Sequence, residues 1–118
     1  DNVTFMSAAT NTGSDKIVFG SYSSFSDLSI ELGGGSDTVI FGSGSYFNNV
    51  WINLGSDAAI DTVSFTGVDN TQQLGSVYIQ GANDGDMLFV GTVSYAYNTS
   101  AGGFIDSLGG LWPSQVQQ

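Results

Sequence analysis

One short unit recurs four times along this chain of 118 residues, and the repetition limits the folds that the chain can adopt. Each copy contains a run that opens with Asp, carries apolar residues two and four positions later, and closes with Gly. These runs begin at Asp15, Asp37, Asp61 and Asp86, which are 22, 24 and 25 residues apart. Repeats of this length are typical of solenoids, propellers and arrays, in which each unit packs on its neighbours.

A second set of runs gives each unit two strands. These runs alternate large apolar residues with small or polar ones, as half-buried strands do, and they are Val3–Phe5, Leu28–Leu32, Val50–Leu54 and Val77–Gln80. The unit is too short for a propeller blade, which needs about 40 residues. We therefore predict an all-β fold, a parallel β-solenoid of about four two-strand coils over residues 1–91, followed by a C-terminal segment, 92–118. The alternative is a sandwich of antiparallel hairpins, because a linker such as Gly33–Ser36 also suits a hairpin.

The charge of the chain excludes several classes of function. Eleven acids stand against a single base, Lys16, for a formal net charge of -10. Nothing neutralises phosphates, so we expect neither nucleic-acid binding nor attraction to anionic membranes. Direct membrane insertion is not expected either, because no apolar run reaches about 18 residues. His and Cys are absent, which removes Ser-His-Asp and Cys-His catalysis and the usual zinc sites.

Ten of the eleven acids are Asp, and their positions suggest a cation site. In stacked coils, equivalent turns lie about 4.8 Å apart, so the Asp residues that open the second strands would form one repelling column. Calcium takes six to eight oxygen ligands, and Gly lets backbone carbonyls converge. We therefore predict Ca²⁺ bound by residues from Asp15, Gly33, Gly35, Asp37, Asp57, Asp61, Asn83, Asp84 and Asp86. The alternative for Asp37 is an Asx hydrogen bond within its own turn.

One turn carries a motif of a known family. The run Gly33-Gly34-Gly35-Ser36-Asp37-Thr38-Val39 resembles the Gly-x-Gly-x-Asp-Thr-Val form of the glycine- and aspartate-rich nonapeptide of RTX proteins. The resemblance implies a calcium-loaded parallel β-roll secreted through a type I system, as in toxins, proteases, surface-layer proteins and adhesins. The other turns match in part: Asn11 stands where a Gly belongs before Asp15, and Asp61 follows an insertion. We therefore expect one column of sites rather than a double row.

The second strands also place apolar residues on their outer face. Val18, Ile40 and Phe89, with Ser64 between them, form a stripe, and a strand that is apolar on both faces is normally covered on both. Either segment 92–118 or a neighbouring copy of the chain covers this stripe. The open ends of a solenoid offer a second route to self-association. Trp51 and Tyr78, outward on the first strands, are isolated surface aromatics, a second contact patch or a carbohydrate platform.

These features predict an extracellular calcium-binding structural protein, with no enzymatic activity, that self-assembles into a filament or surface layer. It would be secreted and extracellular, including at the cell surface. The alternative is a non-catalytic calcium-binding module of a larger secreted enzyme, toxin or adhesin. An enzyme would need a carboxylate pair such as Asp57 and Asp61 for glycosidic chemistry, but no groove-forming insertion accompanies that pair. An ice-binding or sugar-binding face is a further alternative.

Overall fold

The chain is described by a computed structural model over residues 3–6, 13–55, 58–65, 77–91, 93–101 and 103–106. Within these ranges it consists of ten β-strands, with no apolar helix of membrane-spanning length. The strands are β1 (Val3–Met6), β2 (Lys16–Phe19), β3 (Ser24–Glu31), β4 (Thr38–Phe41), β5 (Tyr46–Asn53), β6 (Thr62–Phe65), β7 (Val77–Gln80), β8 (Met87–Val90), β9 (Val93–Asn98) and β10 (Gly103–Asp106).

The first eight strands alternate between two sheets. Strands β1, β3, β5 and β7 form a parallel four-stranded sheet, and β2, β4, β6 and β8 lie parallel in a second sheet. Each strand therefore pairs with the equivalent strand of the next repeat, as Val39 does with Val63. The predicted all-β fold with parallel strands is confirmed. The hairpin alternative is wrong for β1–β8, because consecutive strands lie in different sheets.

Repetition places like side chains above one another in the core. The rings of Phe19, Phe41 and Phe65 stack almost parallel, with centroids 5.0 and 4.9 Å apart. Phe25 and Phe47, from the other sheet, meet this column edge to face at centroid distances of 4.9 to 5.4 Å. Edge-to-face and offset pairs are each worth about 0.5–1.5 kcal/mol beyond the area they bury. Because the repeats pair in register, their equivalent rings form an aromatic column that sets the spacing of the strands.

The longer strands β3 and β5 each contain one residue in the left-handed conformation. Asp27 and Asn49 have φ of 58° and 56°, and the pairing of β3 with β5 skips this position before it resumes at Leu28 and Val50. Asp and Asn tolerate this conformation better than other L-residues do. The sequence pattern predicts turns over residues 21–27 and 43–49, but strand pairing begins earlier, at Ser24 and Tyr46. The alternation of apolar residues is interrupted at the left-handed residue. For this reason the sequence pattern does not reveal the first half of each strand.

The C-terminal segment closes one end of the core. Strand β9 pairs antiparallel with β8, and β10 pairs antiparallel with β9, so both extend the six-stranded sheet at its edge. Tyr95, Tyr97 and Phe104 are buried there. At the opposite edge, Ile17 and Phe19 of β2 are only partly buried. The described part of the segment thus caps the end of the core, and coverage of the outer stripe by residues 107–118 lies outside the described residues.

Close approach of neighbouring repeats requires a glycine after β5. Gly55 has φ of 87°, and a Cβ atom built on it would lie 1.9 Å from the carbonyl oxygen of Gly33 in the preceding repeat. The obstruction is backbone rather than a flexible side chain, so the two turns would have to separate. Gly55 therefore fixes how tightly these repeats stack.

We predict that Gly55→Ala lowers the free energy of unfolding by about 2 kcal/mol or more, because the left-handed conformation and the clash both add cost. Gly20→Ala is the matched control: nothing lies within 4 Å of a Cβ there, so its effect should stay within about 0.5 kcal/mol. Urea unfolding of both variants measures the difference. Equal stability of the two variants would contradict the packing described here.

Candidate functional site

Four aspartates form a hydrogen-bonded column at the start of the second strands. Asp37 Oδ1 accepts the backbone N–H of Asp15 at 2.8 Å, Asp61 Oδ1 accepts that of Asp37 at 2.8 Å, and Asp86 Oδ1 accepts that of Asp61 at 2.9 Å. Asp37, Asp61 and Asp86 are at most 1% exposed, and Asp15 is partly exposed. The Oδ2 atoms of Asp37 and Asp61 are buried as well. The column therefore belongs to the interior of the fold.

The side chains of the column extend the backbone ladder by one bond. The carbonyl oxygen of Asp15 accepts the N–H of Thr38 at 2.8 Å, and that of Asp37 accepts the N–H of Thr62 at 2.9 Å. The N–H of each aspartate would ordinarily pair with a backbone carbonyl of the next repeat. Here the chain is still in its turn at that level, and the carboxylate takes the place of the carbonyl. The short Asp side chain brings its oxygen to the position that the ladder requires.

This arrangement offsets the repulsion expected of a carboxylate column. The carboxylates of Asp37, Asp61 and Asp86 each accept an N–H of the neighbouring repeat, and a hydrogen bond to a charged acceptor contributes about 1.5–3 kcal/mol. The last member is held at both oxygens, because Asp86 Oδ2 accepts the N–H of Asn83 at 2.7 Å. The carbonyl of Asp86 accepts the N–H of Tyr97 at 2.8 Å. Strand β9 thus continues the ladder where a further parallel repeat would stand.

Uncharged serine side chains make a similar link between repeats in the turns that lead from β2 to β3 and from β4 to β5. Ser45 Oγ accepts the N–H of Ser23 at 3.2 Å and donates to the carbonyl of Gly42 at 3.0 Å. Ser23 Oγ donates to the carbonyl of Gly20 at 2.9 Å. These serines are not among the residues predicted from the sequence. The available signal was a Gly-x-x-Ser pattern repeated at a spacing of 22 residues.

The other predicted ligands that the structure describes make different contacts. Gly33 and Gly35 have positive φ, 89° and 101°, in the turn between β3 and β4. Asp84 is exposed, and its Oδ1 accepts the N–H and the hydroxyl of Thr99 at 2.6 and 2.8 Å. Asn83 contributes the backbone N–H that Asp86 accepts. Asp57 lies outside the described residues.

The Oδ1 atoms of Asp37, Asp61 and Asp86 are engaged in the hydrogen bonds of the column, since each accepts a backbone N–H of the neighbouring repeat. In the part of the chain that the structure describes, no three His, Cys, Asp or Glu residues are placed to hold one metal ion. Calcium binding to this chain stays a prediction of the sequence.

No protein-family model, curated protein or solved structure significantly matches this chain. The resemblance to RTX proteins therefore rests on the motif at Gly33–Val39.

We predict that Asp61→Ala lowers the free energy of unfolding by about 1–3 kcal/mol, because the buried N–H of Asp37 loses its acceptor. Asp61→Asn keeps a side-chain oxygen at the same reach and should cost about 1 kcal/mol or less. Both variants are compared with the wild type by urea unfolding in the presence of a chelator. Equal losses for Asn and Ala would show that charge, rather than the hydrogen bond, is what the position supplies.

The contact of Asp84 with Thr99 makes a prediction about pH. The backbone N–H of Thr99, and then its hydroxyl, hold the pKa of Asp84 below its ordinary value. Because the folded pKa is depressed, the contact stabilises the fold above the unfolded pKa and is lost as pH falls through the folded one. NMR titration of the carboxyl should show this low pKa, and Thr99→Val, which keeps the N–H, should raise it only part of the way. A wild-type pKa at or above the ordinary value would contradict the contact.

Proposed function

We propose that this chain is a non-catalytic structural protein, built as a parallel β-solenoid, that associates with copies of itself through the outer face of the six-stranded sheet. The alternation of β1–β8 between two sheets and the in-register pairing of repeats support the solenoid.

The observation that carries the association is the composition of one sheet face. The outward positions of β2, β4, β6 and β8 hold no acid, although the chain has eleven, and they hold its only base. These positions are Lys16, Val18, Thr38, Ile40, Thr62, Ser64, Met87 and Phe89. Copies with a net charge of -10 repel one another, and this face is where they approach with least repulsion. Val18, 61% exposed, is the most accessible apolar side chain on it.

The geometry of the contact bears on the size of the assembly. A face that pairs with itself gives a closed two-fold dimer, and an open filament or layer needs a second, different surface. The edge at β2 is a candidate for that surface, since Ile17 and Phe19 are partly buried there while β9 and β10 close the opposite edge. Face and edge together would give the filament or surface layer that the sequence predicts.

The use of the acids favours a structural role over catalysis. A general acid or base has to reach substrate and water, but Asp61 is 0% exposed and accepts the N–H of Asp37. The pairing of Asp57 and Asp61 as a glycosidic acid and base is therefore disfavoured. The carboxylates of the column instead accept hydrogen bonds that join one repeat to the next.

A second candidate is a non-catalytic module of a larger secreted protein. The partly exposed core at β2 favours it, because a further repeat on that edge would bury Phe19 as the next repeat buries Phe41. Calcium binding and an extracellular location are, for both candidates, proposals that rest on the RTX resemblance. Adding calcium to chelated protein, with binding followed by calorimetry, tests the first of these.

The association is tested by Val18→Lys, which puts a charge on the most exposed apolar residue of the stripe, at its β2 end. Val93→Lys is the matched control, because Val93 is also exposed, at 43%, but lies on β9 away from the stripe. Sedimentation velocity over a range of concentrations, with calcium and with chelator, should show association of the wild type and of Val93→Lys and a monomer for Val18→Lys. A wild type that stays monomeric throughout, or equal losses in both variants, would refute the proposal.

A further inference from the structure

The outer face of the four-stranded sheet carries a pair of stacked aromatic rings. Trp51 of β5 and Tyr78 of β7 are paired neighbours, with ring centroids 4.5 Å apart and planes inclined by 22°. Trp51 remains 41% exposed. Tyr78 covers the indole on the β7 side, so the other face of the indole is turned towards β3, where its paired neighbour is the small Ser29.

The indole is held in place by polar contacts. Trp51 Nε1–H donates to Asn49 Oδ1 at 3.1 Å, and Asn49 Nδ2 donates to Asp27 Oδ1. Asn49 and Asp27 are the stacked left-handed residues of β5 and β3, so the backbone fixes where this relay stands. With Tyr78 behind it and Asn49 at its edge, Trp51 is oriented before any ligand arrives.

A shallow depression of about 180 Å³ opens beside this indole. Its lining includes Trp51 and Ser29 together with one row of paired polar side chains, Glu31, Asn53 and Gln80. Asn53 is itself oriented, because its Oδ1 accepts the N–H of Gly55 at 3.0 Å. The depression thus combines one apolar wall with a row of carboxylate and amide groups.

We propose that this depression binds one residue of a neutral hexopyranose chain. A pyranose ring has an apolar face of C–H groups, which packs on an aromatic ring, and an edge of vicinal hydroxyls, which amides and carboxylates bind in pairs. Trp51 offers the first surface, and Glu31, Asn53 and Gln80 offer the second. The depression has room for about one sugar ring, so affinity for a single unit is weak and depends on Trp51.

The negative charge of the site and of the whole chain favours neutral sugars over acidic ones. Glu31 lies in the lining, and the whole chain carries a net charge of -10, so uronate and sulfated polymers are repelled. The site lies on the sheet opposite the acid-free face proposed for self-association. A dimer formed through that face would display this depression twice, and a filament or layer that also uses the β2 edge would display it in many copies, which raises the avidity for a polymer without any new contact.

NMR titration of the full chain tests the site. The probes are cellohexaose, chitohexaose and mannohexaose, with an oligogalacturonate as the acidic comparison. At least one neutral probe should shift the Trp51 indole N–H and the amides of Ser29 and Asn53 saturably, while the acidic probe does not. The spectrum of Trp112→Phe identifies the Trp51 indole signal, since the chain has two tryptophans.

Two substitutions locate the binding. Trp51→Ala should weaken it by about tenfold, the loss expected when an aromatic contact is removed. Tyr46→Ala, which removes an aromatic side chain that is 77% exposed elsewhere on β5, should leave it unchanged. The unchanged amide spectrum of the core in each variant shows that the fold is intact. Absence of saturable binding to every neutral probe, equal binding of the acidic one, or unaltered binding by Trp51→Ala would each overturn the proposal.

Discussion

The contact on which the rest of the fold depends is the hydrogen bond between the backbone N–H of one aspartate and the side chain of the aspartate one repeat further on. Burial of a carboxylate is costly unless donors surround it, and here the neighbouring repeat supplies the donor at 2.8 to 2.9 Å. Each bond holds only if the repeats keep their register. The same register stacks Phe19, Phe41 and Phe65, so the polar column and the aromatic column enforce one spacing.

That spacing also determines what the two outer faces can do. No acid stands at the outward positions of β2, β4, β6 and β8, which makes that part of the outer face of the six-stranded sheet suitable for contact between copies. On the opposite sheet, the left-handed Asp27 and Asn49 position an indole beside a row of polar side chains. The proposed structural role and the proposed sugar site thus use the two opposite outer faces that the same repeat creates.

The repeat and its strands can be predicted from the sequence, because the runs that begin at Asp15, Asp37, Asp61 and Asp86 follow one another at similar spacings of 22, 24 and 25 residues. It also indicates which side chains point inward, including Val39 and Phe41, since strand alternation depends only on local geometry. The role of the aspartates is harder to predict from the sequence. A carboxylate in a glycine-rich turn looks the same whether it will meet a cation or a backbone N–H, and only the pairing of distant repeats decides. The antiparallel β9 and β10 were hidden for a similar reason, because strand direction is set by tertiary pairing.

The most direct test is an NMR measurement of scalar coupling through the hydrogen bond, between the backbone nitrogen of Asp37 and the side-chain carboxyl carbon of Asp61. It is made on protein stripped of metal with a chelator. Our account predicts that the coupling is present in that sample, together with the equivalent couplings from Asp15 to Asp37 and from Asp61 to Asp86. Couplings that are absent without metal and appear only when calcium is added would contradict it.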